Sequence, residues 1–446
     1  MDLSLALRIQ HKEVIALVGA GGKTTAMFRL ARELTARGQR VVTTTTTRIF
    51  VSQMGAAPHS IVASDESALL AQLPEALQRY GHVLVVGGTD PSSDKAFGIE
   101  PGWVSRIAGL DEVDGVIIEA DGARMRSFKA PAAHEPVIPD CVTLVVPMAG
   151  IEAIGRPLDE VTVHRPECVA ALTGAAPGAI ITTQMMARVL GDERGGRQFA
   201  PAGARVVVLL NKVETGAQQE AARQVARLLL QQPALDGVVL AATGAGDPAR
   251  EVWGRTAAVV LAGGAASRFG RAKLLEPWGG TTILGRVLDQ ALSMEEIDDV
   301  IVVAGCEGQR IAEAVQDHAV QVVFNEAWAT GQASSVRAGV AALPGTTGAV
   351  LFLLGDQPEV KHDTVTALVQ RHRQTLAAAV VPRYRGERGN PVLFDRSLFP
   401  ELGTLSGDSG GRALTERLGS EVEWVTIDEP PPFDIDTLED LQRHMP

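Results

Sequence analysis

The sequence predicts a two-domain α/β protein, and three observations carry that expectation. Short apolar runs fit for buried strands recur at residues 14–18, 83–86, 115–118, 206–210, 257–261, 300–304, 320–324 and 350–354. Stretches with helical apolar spacing lie between several of them. Two of these strands run straight into a glycine loop followed by a lysine, at residues 19–23 and 263–273. At 446 residues the chain also exceeds what one ordinary core accommodates. Strand–helix alternation implies mostly parallel sheets with right-handed crossovers, and ligands then sit at the carboxyl ends of the strands.

Composition narrows the function classes. With 46% hydrophobic and 21% charged residues the chain has the make-up of a soluble globular protein. The formal charge is 41 − 53 = −12, placed unevenly. Residues 256–446 carry 16 Lys/Arg against 26 Asp/Glu, and the preceding part carries 25 against 27. Neither half offers the basic face that nucleic-acid binding requires, so no nucleic-acid partner is expected. A phosphate-rich substrate would need local cations and Mg²⁺ instead of a general positive field. Cys141, Cys168 and Cys306 lack CxxC spacing, which points away from a disulfide framework or a zinc ribbon. The N-terminal MDLSLALRIQHKE has no long apolar core and no run approaches membrane-spanning length. The expected location is cytoplasmic, with no membrane partner.

In the first half, the strand at 14–18 opens onto GAGGKTT at residues 19–25. Met27, Leu30, Ala31 and Leu34 then keep helical spacing until Gly38, a natural residue to follow a helix end. Strand, glycine loop and helix make a phosphate-binding loop in which Gly19, Gly21 and Gly22 let backbone donors approach. Lys23 neutralises charge there, and Thr24, followed by Thr25, can ligate Mg²⁺. Leu17 stands where the full pattern has its first glycine, and a plain strand–helix turn is the alternative. The fold expected of this half is P-loop NTPase-like, with three layers.

Threonines 43–47 and Arg48 continue a second strand. They suit either a pleated β surface or hydroxyls that touch nucleotide or metal. Glu119 and Asp121 end the strand at 115–118; carboxylates there suit Mg²⁺, Asp121 being the chosen ligand and a turn-forming Asp121 the alternative. His134 and His164 adjoin proline-stiffened loops and also fit solvated surface. Asn211, Lys212 and Glu214 stand where an Asn-Lys-x-Asp would read guanine, with Glu in place of Asp. Residues 241–254 are small, contain Gly and Pro and lack periodicity, which predicts a short linker between domains at 1–248 and 255–446.

The second half opens on TAAVVLAGGAASRFGRAKLL from Thr256. The paired glycines Gly263 and Gly264 admit a ligand that any Cβ would obstruct, and successive N–H groups in such a turn form an anion-binding concavity. Arg268 and Lys273 on the loop's exit suit a polyphosphate. The strand at 350–354 delivers Asp356, placed to hold a nucleotide's Mg²⁺, and Asp434 or Asp436 near the end would supply a second carboxylate. Of the two, Asp436 is the expected ligand. Gln332, Ser334, Ser335 and Arg337 open a helix whose donors could hold a ligand, or whose serine simply caps it.

Two resemblances join these motifs. Gly19 to Thr25, Thr43 to Arg48, Glu119 to Gly122, residues 130–139, His164 to Pro166 and Asn211 to Glu214 together resemble the YqeC-type accessory proteins of selenium-dependent molybdenum hydroxylases. The second half resembles the MobA-like nucleotidyltransferases, and among them the molybdenum cofactor cytidylyltransferases. It does so at Leu261 to Lys273, WATGQASSVRAG (328–339), GDQP (355–358), GNPVLF (389–394), SGDS (406–409) and FDID (433–436).

The second resemblance implies a Rossmann-like fold of the nucleotide-diphospho-sugar transferase type. It implies nucleotide contacts from Leu261, Ala262, Gly263, Gly264, Ser267, Arg268, Lys273 and Ser335, catalysis by Arg268, Lys273 and Asp356, and Mg²⁺ on Asp356 and Asp436. The implied reaction attaches a nucleotide to molybdopterin, with a molybdenum hydroxylase as a transient partner. Gly263 leans towards GTP and the GDQP motif towards CTP, which is preferred. A sugar-nucleotide pyrophosphorylase and a non-catalytic cofactor chaperone are the alternatives.

Overall fold

The computed structural model describes all residues except 91, 265–268, 270–271, 408–410 and 446. The chain divides into two compact units, Met1–Trp253 and Gly254–Pro446, and both are α/β. Among the described residues no helix is long and apolar enough to cross a membrane.

The sheet of the first unit is built from β1 (Glu13–Gly19), β2 (Val41–Thr45), β3 (Ser60–Val62), β4 (His82–Val86) and β5 (Gly115–Glu119). It continues with β6 (Leu144–Gly150), β7 (Arg205–Asn211), β8 (Gly237–Ala241) and β9 (Ala249–Trp253). Their spatial order is β9-β8-β7-β6-β1-β5-β2-β4-β3. All neighbours are parallel except β8 and β9. The central strands are buried along nearly their whole length, as expected when helices cover both faces of a parallel sheet. Helix α1 (Lys23–Ala36) follows β1 directly, and Gly38 beyond it takes φ +82°. Because β1 pairs with β5 and β6, the ends of three strands converge beside its glycine loop. Leu17 lies opposite Glu119, and Gly19 opposite Met148.

The linker expected at 241–254 is not one. Ala249–Trp253 is strand β9, antiparallel to β8, with Ala249, Val252 and Trp253 buried. Buried Glu251 accepts from Gln219 Nε2 at 2.7 Å, from Arg223 at 2.5 and 3.1 Å and from Trp253 Nε1 at 2.8 Å. The Gly- and Pro-containing turn at 243–248 resembles a linker but serves as the β8–β9 connection, so the first unit runs to Trp253 and not to 248.

The second unit contains β10 (Arg255–Ala262), β11 (Asp299–Ala304), β12 (Gln321–Phe324), β13 (Thr347–Leu354), β14 (Ala379–Tyr384), β15 (Glu387–Arg388), β16 (Val392–Asp395) and β17 (Val422–Ile427). The order is β12-β11-β10-β13-β16-β14-β15, with β17 beside β14. The first four are parallel, and β16 lies antiparallel to both β13 and β14, so the sheet is mixed. Alternate residues of β10 serve opposite faces. Ala258, Val260 and Ala262 pack with helix α2 (Ile283–Ser293), whereas Val259 packs with Val336 of helix α3 (Gln332–Ala341).

If β9 belongs to the sheet, Trp253→Ala removes a core side chain and is expected to cost about 3–5 kcal/mol in urea unfolding. A loss below about 0.5 kcal/mol would return the segment to linker status.

Candidate functional site

In the second unit β10 and β13 end side by side, with Leu261 opposite Leu354. The chain leaving β10 delivers Lys273 and the chain leaving β13 delivers Asp356. Lys273 Nζ lies 2.8 Å from Asp356 Oδ2 and 3.2 Å from Asp436 Oδ1. Burial alone would lower the lysine's pKa, but Asp356 and then Asp436 outweigh it and hold the ammonium above its ordinary value. Asp436 arrives because buried Ile435 anchors its segment and donates its N–H to Asp356 O at 3.2 Å. Asp434 instead accepts from Gln357 Nε2 at 2.8 Å, and burial raises its carboxyl pKa. Regular alternation would place these two acids, two positions apart, on one face; the segment is not a strand, and they reach different partners.

Lys273 and Asp356 line a cavity of about 460 Å³ with Leu261, Gly263, Gly264, Trp328, Gln332 and Ser335. A Cβ on Gly263 would fall 2.8 Å from Ser335 Oγ, which accepts from buried Asn325 Nδ2 at 3.0 Å. Ala262 was expected to touch nucleotide. It faces the other way, buried at 2% in the core under α2, because strand alternation gives the cavity to its neighbours. Serine capping does not start α3 either: Gly331 is the N-cap and Ser334 Oγ donates to its carbonyl at 2.8 Å. Ser267 and Arg268 lie outside the described residues.

A second cavity of about 740 Å³ shares Leu261, Gln332 and Leu354 with the first and adds Arg388, Asn390 and Arg412. Burial, and then the like charge of Arg412, lowers the Arg388 pKa, and its Nε is buried without a hydrogen-bond partner. Arg412 pairs with Glu416 at 2.9 Å and Arg388 Nη2 donates to Thr415 Oγ1 at 3.0 Å, and the guanidinium donors that remain are suited to an anion. The sequence pointed to Gly389 and Asn390 but gave no signal for these arginines, since Arg412 arrives from a separate helix.

Asp356 and Asp436 present hard oxygen donors at one point. That donor set fits Mg²⁺ if phosphate oxygens and waters complete the shell. Among the described residues no group of three His, Cys, Asp or Glu side chains forms a metal cluster on its own.

In the first unit Gly21 takes φ +82°, and a Cβ there would meet Gly150 N at 2.2 Å, so the loop lies flat against β6. Lys23 Nζ donates to Gly19 O at 2.5 Å and pairs with Asp121 at 3.2 Å. Thr24 Oγ1 donates to Glu119 Oε2 at 2.7 Å. Gly21, Gly22, Lys23, Thr24, Glu119 and Lys212 all line a cleft of about 1080 Å³. Burial raises the Glu119 pKa, an effect that Lys23 and Thr24 oppose.

Gly19, Thr25, Asp121, Asn211 and Glu214 were expected at a nucleotide site and fall outside this cleft's lining. Asp121 is 1% exposed beneath the loop, accepting from Gly19 N at 3.0 Å and pairing with Lys129 at 2.8 Å. The carboxylate beside Thr24 is therefore Glu119, not Asp121, and Gly19 directs its N–H inward. Thr25 is exposed on α1 away from the cleft. Asn211 donates to Gly21 O at 2.7 Å and exchanges bonds with Thr243, which braces the loop. Glu214 is exposed and does not line the cleft, so the guanine-reading acid is missing from it. Thr43, Thr44 and Thr45 are buried sheet hydroxyls, while Thr46, Thr47 and Arg48 line the cleft, as do His134 and His164.

The buried charges continue outward, for Lys129 also pairs with Glu135 at 2.8 Å and Arg165 grips the same carboxylate. Burial would raise Glu135, but Arg165 and Lys129 outweigh it and bring its pKa down to about 2. A folded pKa below the ordinary 4.5 means the stabilisation is complete above pH 4.5 and is lost as pH falls toward 2. Glu135→Gln is expected to cost about 2–3 kcal/mol at neutral pH, with the difference shrinking under acid. A cost independent of pH in the same unfolding series would assign Glu135 to packing alone.

Comparison with known proteins adds lineage to this geometry. The profile of the YqeC protein family matches residues 15–167, and that of the MobA-like NTP transferase domain matches residues 258–422. The YqeC protein of Escherichia coli (strain K12) is 32% identical over 201 residues, which are 45% of this chain and 75% of that protein. The bifunctional protein GlmU of Nitrosomonas europaea is 33% identical over 118 residues, 26% of this chain, and the match spans only 25% of GlmU's length. The crystal structure of Rv0371c from Mycobacterium tuberculosis matches with 31% identity and a TM-score of 0.39, over 43% of this chain and 98% of that one. A nucleotidyl transferase from Methanothermobacter matches with 25% identity and a TM-score of 0.37, over 43% and 96%. The chain belongs to the YqeC family through its first half, and its second half is a MobA-like NTP transferase domain.

Proposed function

We propose that the second unit transfers a nucleotide from CTP, in preference to GTP, to the terminal phosphate of molybdopterin. The first unit then acts as a P-loop, NTP-binding accessory domain serving a molybdenum hydroxylase of the selenium-dependent kind. The observation that carries this reading is the contact of Lys273 with Asp356 and Asp436 beside a cavity whose lining continues into one bearing two arginines.

The acceptor's phosphate oxygen attacks the α-phosphorus in line, a new P–O bond forms, and the bond to the β-phosphate breaks to release pyrophosphate. The nucleophile is already anionic, so no general base is required. Gly263 and Gly264 admit the triphosphate backbone, and Lys273 neutralises charge on the α-phosphate. Arg388 and Arg412 hold the acceptor phosphate, and Trp328 and Leu274, both lining the first cavity, help exclude water. Positioning and charge neutralisation supply the rate. Mg²⁺, held by Asp356 and Asp436, would contribute further neutralisation of the triphosphate. In the first unit Lys23, Thr24 and Glu119 take the equivalent nucleotide roles. Similarity to GlmU favours one second reading, a sugar-nucleotide pyrophosphorylase in which the two arginines hold a sugar phosphate.

Asp356→Asn is expected to keep the fold and lower pyrophosphate release from CTP and molybdopterin by about a hundredfold or more. Near-normal turnover in the folded variant would remove Asp356 from the site. In parallel assays of the wild type, CTP is expected to turn over faster than GTP; the reverse order overturns the base assignment, and activity only with sugar phosphates overturns the acceptor.

A further inference from the structure

The cleft of the first unit carries more positive charge than one nucleotide site employs. Its lining holds Lys23, Arg48, Lys95, Arg124, Arg126, Arg165 and Lys212 against only Glu119 and Glu135. Most of these cations are already engaged. Lys23 pairs with Asp121, Arg165 with Glu135 and Lys212 with Glu152. Arg48 lies over the Phe97 ring and Lys95 over Phe50. Arg124 and Arg126 remain, and among the described residues neither side chain has a hydrogen-bond or ion-pair partner.

These two arginines do not hang on a free loop. The Arg126 N–H donates to Ala123 O at 2.9 Å, and the Arg126 carbonyl accepts from Gly21 N at 3.1 Å. Arg124 and Met125 take left-handed backbone, at φ 47° and 59°. Such a conformation disfavours residues with a Cβ and persists where surrounding bonds hold it. The turn at 123–126 is thus fastened to the phosphate loop itself. His164, which lines the same cleft, has its pKa lowered by burial and then by Lys129, Arg165 and Arg124, so the surroundings already resist a further cation. An excess of cations held apart by a fixed turn is the arrangement that an incoming oxyanion relieves.

We propose that Arg124 and Arg126 form a second anion subsite beside the glycine loop, taking a phosphate monoester or like oxyanion as a co-ligand together with the nucleotide. The first unit is then a two-ligand site and not a lone nucleotide switch. The co-ligand half of this inference stands on the arginines alone; its pairing with a nucleotide rests on the phosphate-loop reading given above.

The test titrates the full chain with inorganic phosphate, followed by 31P NMR and calorimetry, with and without Mg²⁺ and a non-hydrolysable GTP or ATP analogue. Wild type is compared with the double variants Arg124→Ala/Arg126→Ala and Arg124→Lys/Arg126→Lys. Both arginines stand at the cleft mouth outside the core, and equal thermal unfolding of the variants checks that the fold is kept. The alanine variant is expected to bind phosphate about tenfold more weakly or worse, with the lysine variant between it and wild type. Nucleotide affinity is expected to stay within about twofold. Phosphate bound by the second unit appears equally in every protein and cancels from the comparison. Unchanged phosphate affinity in the alanine variant overturns the subsite. Equal losses for phosphate and nucleotide also overturn it, by assigning the arginines to the nucleotide's own phosphates. If Lys23→Ala leaves nucleotide binding intact while the arginine effect persists, the phosphate-loop reading fails and the anion subsite stands.

Discussion

Each unit depends on one contact, a lysine delivered after one strand meeting a carboxylate delivered after its parallel neighbour. In the first unit Lys23 follows β1, Asp121 follows β5, and they pair at 3.2 Å. In the second Lys273 follows β10, Asp356 follows β13, and they pair at 2.8 Å. Parallel strands side by side bring their carboxyl ends to one edge, so the groups leaving those ends must meet or repel. Opposite charges there close the edge.

The two contacts differ in what surrounds them, and that difference separates architecture from chemistry. Asp121 is sealed under its loop with two lysines and the Gly19 N–H, so removing it strands buried ammonium charge at a cost of about 3–5 kcal/mol. Asp356 has a quarter of its side chain exposed and lines a cavity. Its lysine is shared with Asp436 at 3.2 Å. In the first unit the acid at the cleft wall is Glu119, itself buried, which accepts the Thr24 hydroxyl and whose pKa burial raises.

Much of this was legible in the sequence because apolar runs and glycine loops report burial and backbone approach directly. Strands β1, β5, β7, β10, β11 and β13 lie where those runs do, and Lys273, Asp356 and Gly263 are found at one cavity. What escaped has local causes. Strand β6 carries Pro147 in its middle, which reads as a break, and β9 hides behind the turn at 243–248. Which of Glu119 and Asp121 faces the cleft depends on where β5 stops, and a shift of two residues exchanges the acid at the cleft wall for the sealed one. Ala262 was misplaced by a single step of alternation. Arg388 and Arg412 sit 24 positions apart on separate elements, and only the fold brings them to one cavity.

The most direct test of the account is the fate of the phosphorus atoms when the intact protein is given CTP, Mg²⁺ and molybdopterin, with products resolved by mass spectrometry and 31P NMR. The account predicts a molybdopterin bearing CMP through a diphosphate bridge, formed one-for-one with pyrophosphate. Orthophosphate and CDP as the phosphorus products, with molybdopterin recovered unchanged, would contradict it.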